Sequence, residues 1–478
     1  MSEVEKLPQG WVKATVDDLA EFVNGFAFKP AHWESTGTPI IRIQNLTNPE
    51  KPFNYTKIDV PEIYEVNNGD LLVSWSATLD AFIWRGNKAW LNQHIFKVVP
   101  RPRFFHSGLL FYWMKIAIEE MITTEHLHGS TMKHINRGPF LAHETRLPPS
   151  NEQARIFDKL EEIFSDLDAG VKELKAAQTK LSQYRQSLLK SAVEGSLTQQ
   201  WRAENSDRAQ ETGEQLLARI LKQRRERWQQ QKLVEFAEKG KTPPKNWQDK
   251  YPEPVQPDTT DLPELPEGWV WATIDQLALN KRYGSSSKTN DDSSGVPVLR
   301  MGNIQDGKLD YGNLKYLPID HKEFPELLLQ DGDLLFNRTN SAELVGKTAV
   351  YRDIGKPVSY ASYLISVTFS KYVLPEIVAH YINSVLGKKW IAEVMNQTAG
   401  QANVNGTKLG ELVIPLPPFV EQVELVQKVT NEFESIDKQS EATALGLKQS
   451  EAQRKNILKS AFSGQLVPQD PNDEPASV

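Results

Sequence analysis

Leucine recurs every seven residues at Leu160, Leu167, Leu174, Leu181 and Leu188, and Ile163, Gly170, Ala177 and Tyr184 stand three positions after the first four. Apolar residues at this spacing form the a/d seam of a long helix lying against another helix. A looser seam follows later in Leu425, Val429, Phe433, Ile436, Ala444, Leu447 and Ile457. Each stretch begins after Pro-Pro, which fixes the chain ahead of a helix, and Ser150 followed by Gln153 has the form of a capping-box start. Small residues (Gly170, Ala176 and Ala177; Ala442, Ala444 and Gly446) lie near the middle of each stretch, where two helices can approach closely. A leucine heptad alone fits core packing or homodimerisation as well as pairing within the chain.

Ahead of each seam, short apolar runs suited to strands alternate with Gly-Asp and Gly-Asn turn signals. They are "PIIRI", "DLLVSW" and "IFKVVP" in one half, and "PVLRM", "DLLFN" and "YLISVTF" in the other. One helical stretch accompanies each set, Leu109 to Ile122 and Glu376 to Val394. The mixture predicts an α/β (α+β) head too irregular for a doubly wound sheet or a barrel.

The halves echo one another. "LPQGWVKATVDDLA" from Leu7 and "LPEGWVWATIDQLA" from Leu265 agree at ten of fourteen positions. "PIIRIQNL" answers "PVLRMGNI", "NNGDLLVSWSAT" answers "QDGDLLFNRTNS", "LPPSNEQ" answers "LPPFVEQ", and "RQSLLKSAVEGSL" answers "RKNILKSAFSGQL". Order is kept and the offset grows from 258 to 263 to 269, as small loop insertions would make it. The chain therefore reads as two copies of a head followed by a long helix, a pseudo-two-fold internal repeat. Two helices that each end one copy pack most economically against each other within the chain. A helix from 151 to 195 would be roughly 65 Å long, close to two turns of B-DNA at ~34 Å each. Such a helix would serve as a spacer; were the pair antiparallel, the heads would lie at its opposite ends.

Between the copies, 209–240 reads as a highly charged helix and the stretch after it as a Pro-rich linker. Its "KQRRERW" fits a solvated helix face or a phosphate or partner contact.

At 478 residues the chain has room for several cores. It contains no cysteine, which excludes disulfide scaffolds, thiolate metal sites and cysteine nucleophiles. No run approaches eighteen apolar residues and the start carries no signal pattern, so a soluble cytoplasmic protein is expected. The net charge of −7 argues against a nucleic-acid partner until its distribution is considered. Residues 1–150 and 265–415 each hold 15 Lys+Arg against 16 Asp+Glu, whereas 416–478 holds 6 against 10 and carries more than half of the excess. Near-neutral heads leave room for a basic face. No GxxxxGK[ST] or GxGxxG loop, HExxH helix or GxSxG elbow is present, and "LPPS" and "LPPF" lack the polar first residue of an amino-methyltransferase tetrapeptide. No catalytic residue and no metal ligand is assigned.

What the heads offer is polar side chains beside aromatics in loops: "SWSATLDAFIW" and "HGSTMKHINR" in the first, "KRYGSSSKTNDDSS", "NRTNSAE" and "NQTAGQANVNGTK" in the second. Arg, Asn and Gln read base edges, while Lys, Ser and Thr hold phosphates. Any one such loop is as well read as an ordinary turn. Recurrence in equivalent places of two heads favours a binding surface.

The ordered set, from the "LPxGW" opening through "GDLL" and "LPPxxEQ" to the closings "LLKSAVEGSLTQQWRAEN" and "ILKSAFSGQLVPQDPNDEPAS", resembles the DNA-specificity subunit of type I restriction-modification systems over nearly the whole chain. The resemblance implies target-recognition domains at 1–147 and 265–415, a spacer helix at 148–200, a charged-helix and Pro-rich insert at 201–264, and a second spacer helix with the C-terminal tail at 416–478. It implies two long helices packed as an antiparallel coiled coil through Leu160, Leu167, Leu174, Leu181, Leu188, Val429, Ile436 and Leu447. It also implies recognition of a split, asymmetric double-stranded DNA sequence, one half-site per head, by a non-catalytic subunit. Two methyltransferase subunits using S-adenosylmethionine and restriction subunits using ATP and Mg²⁺ would complete the complex. The DNA-contacting residues expected on this basis are Ser74, Ser76, Thr78, Lys133, His134, Asn136 and Arg137 in the first head. In the second they are Arg338, Asn340, Gln401, Asn403, Asn405 and Lys408, with Arg282 and Lys288 on phosphates. Trp11 and Trp269 are expected to pack within the core or between head and helix. A self-contained DNA-modifying enzyme and a non-enzymatic scaffold or adaptor with two ligand-binding heads are the alternatives.

Overall fold

The computed structural model describes residues 7–101, 106–123, 135–205, 211–398 and 401–477. Their contacts divide the chain into two compact units, residues 1–176 with 443–478 and residues 177–442. Each unit holds one head and half of each long helix.

In the first unit, Val12–Thr15 pairs antiparallel with Glu144–Leu147, bringing the opening of the head beside the strand that feeds the first long helix. Four antiparallel strands follow in the order Ala20–Asn24, Ile95–Pro100, Leu71–Ser74, Asp80–Ile83. A second sheet sets Thr38–Ile41 parallel to Ala89–Leu91, with Asn54–Thr56 and Glu65–Val66 on the outer edges. Leu71–Ser74 is buried on both faces, so its apolar run does not alternate. The helix Ser107–Thr123 buries Leu110, Trp113, Met114 and Ala117 in the same core.

The second unit repeats this topology. Val270–Thr273 pairs with Val413–Leu416. The four-stranded order is Ala278–Tyr283, Leu364–Phe369, Leu334–Asn337, Thr348–Val350. Val296–Leu299 runs parallel to Ser359–Tyr360 with Lys315–Leu317 at its edge. The predicted helix from Glu376 to Val394 is instead two helices, Pro375–Asn383 and Val385–Val394. Ser384, in extended conformation, ends the first and accepts the Gly387 N–H to cap the second.

The shared "GD" is a turn device. Gly69 and Gly332 take φ of +97° and +85°, open to glycine at little cost, and the next carboxylate accepts a backbone N–H three residues back, Asn67 to Asp70 at 2.8 Å and Gln330 to Asp333 at 3.0 Å.

The long helices are Ser150–Val193 and Phe419–Ala461. In the first unit Arg454 pairs with Asp168 and lies over the Phe164 ring, while Leu174 faces Gly446. In the second, Arg185 pairs with Asp437 at 2.8 Å and lies over Phe433, while Ala192 clusters with Leu425 and Val429. In each unit, rising numbers on one helix meet falling numbers on the other, so the helices run antiparallel. Leu160, Leu188, Val429 and Ile436 are buried, and Leu167, Leu174, Leu181 and Leu447 half-buried. Of the small residues, Gly446 receives a neighbour, but Gly170 is exposed with open space where a Cβ would stand. Close approach at Gly170, expected from the sequence, does not occur.

Each closing motif docks on a head through a glycine of positive φ. Gly195 (+72°) leaves room for Pro266 and Trp269 in the second unit, and Gly464 (+73°) for Pro8 in the first. The tail then returns along the first head's opening: Ala476 donates its N–H to Gly10 O at 2.9 Å, and Arg155 pairs with Asp473 at 2.6 Å.

The charged insert helix spans Gly213–Glu238 and is capped by Thr212 with Gln215. It buries Leu216 and Ile220 among Ala272, Ile274 and Leu277 of the second head. Arg219 stacks over Tyr372, and Trp228 stacks on Trp247 of the returning linker. Within "KQRRERW", Arg224 and Arg225 pair with Asp275 and Glu253.

Candidate nucleic-acid interface

In the second head, the residue following Leu334–Asn337 is Arg338. Its backbone is fixed on both sides, its N–H donating to Tyr363 O at 3.0 Å and its carbonyl accepting from Val404 at 2.9 Å. The guanidinium is fixed as well. Nε donates to Ser362 O at 2.9 Å, Nη1 donates to Asn403 Oδ1 at 3.2 Å, and the group lies over the Tyr283 ring, 5.0 Å from its centroid. The Tyr283 hydroxyl accepts the Gly406 N–H at 2.7 Å, which anchors the ring. Thr339 also donates to Asn403. Tyr283 and Tyr363 are 46% and 47% exposed, and Arg338 is half-buried. Strand ends from one sheet thus meet the antiparallel pair Asn396–Thr398 and Gln401–Asn403 at a half-exposed, hydrogen-bonded arginine.

Register identifies the matching place in the first head. Ser74 pairs with Ile95 as Asn337 pairs with Leu364, and Asn24 pairs with Phe96 as Tyr283 pairs with Ile365. Trp75 therefore occupies the place of Arg338, His94 that of Tyr363 and Asn24 that of Tyr283. The backbone bonds repeat too: Trp75 donates to His94 O at 3.2 Å and accepts from Ile135 at 3.1 Å. The side chains do not repeat. Trp75 donates its indole N–H to Asn24 Oδ1 at 3.2 Å and sits edge-on to His94, ring centroids 4.8 Å apart. His94 is exposed, with φ of +74°. Trp75 was not among the contact residues expected from the sequence, which named its neighbours Ser74, Ser76 and Thr78; the 263-residue offset that sets it against Arg338 was the available signal.

The other expected contact residues fall into three groups. Ser76 is half-buried, and Thr78 and Lys288 are exposed. Several are tied to their own head: Ser74 is 1% exposed, its hydroxyl donating to Thr78 O and accepting the Asp80 N–H at 3.3 Å. Arg282 donates to Glu326 O, Arg137 to Phe22 O, and Lys408 to Glu411. Asn340 accepts the Ser341 N–H, and Asn405 caps Gly406–Glu411 through Lys408 N, whereas Asn136, exposed at the N-cap position of Arg137–Leu141, makes no side-chain capping bond. Lys133 and His134 lie outside the described residues, and Gln401 is described only as part of its strand. The structure gathers Arg338, Asn403 and Tyr283 at one spot; Arg282 is held instead by Glu326 O, and Lys288 is exposed.

The meaning of "LPPxxEQ" was not anticipated. Trp11 donates its indole N–H to Glu152 Oε2 at 3.0 Å, and Trp269 does the same to Glu421 at 2.8 Å. Both tryptophans therefore join head to helix, one of the two roles expected for them. The adjoining glutamine ties the strand before the helix to the head. Gln153 donates to Pro148 O and accepts from His106 N, and Gln422 donates to Pro417 O and accepts from Leu374 N. Glu421 also meets Arg202 and Thr198. One oxygen of Glu152 is buried without a hydrogen-bond partner among the described residues, and burial pushes its carboxyl above the usual range although the Trp11 bond opposes this.

Residues 8–176 and 266–444 each match the Type I restriction modification DNA specificity domain. The chain is 24% identical over 485 residues to the type I restriction enzyme EcoKI specificity subunit of Escherichia coli (strain K12), covering 97% of this chain and 91% of that one. It is 24% identical over 471 residues to the EcoBI specificity subunit of Escherichia coli, covering 96% and 87%. Its fold is similar to that of a solved chain from work on complex assembly and conformational transition of the type I R-M system, with TM-score 0.65, 15% identity, and coverage of 96% of this chain and 100% of that one. The chain belongs to the type I restriction-modification DNA specificity family, and it carries two copies of the family's domain.

Proposed function

We propose that this chain is the DNA-recognition subunit of a type I restriction-modification complex, reading a bipartite asymmetric target with one half-site per head. The observation that carries the reading is one scaffold used twice with different side chains at the same register position, Trp75 in one head and Arg338 in the other. Repeated backbone with altered side chains suits two readings of unlike sequence. The long helices, of 44 and 43 residues, act as the spacer that sets the number of unread base pairs. Methyl transfer from S-adenosylmethionine to adenine belongs to two docked methyltransferase subunits, and ATP- and Mg²⁺-dependent restriction to further partner subunits. The chain itself recognises DNA without catalysing a reaction, and works in the cytoplasm; among the described residues no helix is long and apolar enough to cross a membrane.

The test is duplex binding by the full chain together with its methyltransferase subunits, combined with methyl-adenine mapping of genomes with and without the chain. A split methylated motif that vanishes with the chain, and affinity that falls steeply with salt, are expected. Methylation independent of the chain, or no sequence-specific duplex binding, would overturn the reading.

A further inference from the structure

We infer that Trp75 and Arg338 are equivalent base-reading points, that Arg338 reads a guanine edge in one half-site, and that Trp75 reads an apolar thymine edge in the other. The inference rests on the proposed function above and names the base chemistry within it.

Three of the five guanidinium N–H groups of Arg338 have no partner among the described residues, because Nε and Nη1 account for two. A guanidinium only donates, so the ligand that completes it presents paired acceptors. Within a duplex those are guanine O6 and N7 in the major groove, or phosphate oxygens. The restraint favours the base: held by Ser362, Asn403 and the Tyr283 face, Arg338 has little freedom to follow a backbone and is already set in one orientation.

At the same register position Trp75 can make no such fork. Its one donor is spent on Asn24, and what remains is an aromatic surface flanked by the exposed His94. The base feature matched to an apolar surface is the thymine C5 methyl. The two heads are thereby committed to unlike bases at a shared point, which makes the target asymmetric.

The experiment retains duplexes from a randomised pool on the full chain with its methyltransferase subunits, then sequences them. Arg338→Ala is expected to lower preference for guanine at one base pair of one half-site by about 10- to 100-fold, leaving the other half-site intact. Trp75→Ala should relax one thymine position in the opposite half-site. Equal weakening at every position would make Arg338 a phosphate contact and overturn the inference, as would an unchanged motif. Should Arg338→Ala lose its whole half-site, Arg338→Lys, which keeps the charge but not the fork, decides by the same criterion. A wild-type complex retaining no specific duplex would instead defeat the proposed function; a wild-type motif left untouched by both variants defeats only this inference.

Discussion

Trp269 and Glu421 are joined by an indole N–H donated at 2.8 Å across the seam between head and helix, the second occurrence of a bond that Trp11 and Glu152 make at 3.0 Å. The two differ in their surroundings. Glu421 keeps Arg202 and Thr198 when the indole is removed, whereas Glu152 would lose the one hydrogen bond its carboxylate makes among the described residues. Trp11→Phe should therefore destabilise its unit by about 1–3 kcal/mol, and Trp269→Phe by less. Thermal unfolding of the two variants checks the order; equal losses would show that ring packing, not the hydrogen bond, decides.

His380 gives the second unit an acid sensitivity. Burial, reinforced by Arg185, holds its imidazole down at about 4, against an ordinary value of 6.5. The folded state thus binds fewer protons than the unfolded state between those values. Stability contributed by the neutral ring is complete above pH 6.5 and falls as pH drops toward 4. Denaturant unfolding at pH 7.5 and pH 5 should show His380→Asn losing about 2 kcal/mol less than the wild type over that interval. Identical losses in both proteins would remove His380 as the cause.

Gly170 stands inside a long helix with nothing near its missing Cβ. Gly170→Ala should raise stability by about 0.5–1 kcal/mol through helix propensity. A lowered melting temperature would mean that something packs there after all.

Ser74 is buried and its hydroxyl holds the turn from Thr78 to Asp80. Ser74→Ala should cost about 1–2 kcal/mol while leaving the methylated motif unchanged. A changed motif at full stability would place Ser74 on the DNA.

Leucine spacing was enough to anticipate the first long helix, because a seam that repeats every seven residues has few other ways to be buried, and the second was anticipated by its looser apolar seam after the same Pro-Pro. The repeat was legible for a similar reason: equal turns and strand runs impose equal residue types. Reach was not legible. Ser74, Asn405 and Lys408 have the chemistry of DNA contacts, yet the structure engages each within its own head, since a polar group in a loop satisfies itself locally before it meets a ligand. The break at Ser384 was hidden because apolar periodicity runs on through both short helices. Trp75 was passed over although the 263-residue offset sets it against Arg338, because Ser74, Ser76 and Thr78 around it carry the more familiar contact chemistry; strand register then pairs the two.

The hydrogen bond from Ala476 to Gly10 brings the tail alongside the opening strand. Gly10 and Ala476, far apart in sequence, are therefore neighbours within the first unit. A version cut within the Pro-rich stretch after Glu238, with residues 10 and 476 joined by a short bridge, should form the same first unit, because the cut would fall in irregular backbone and the bridge would link neighbouring segments.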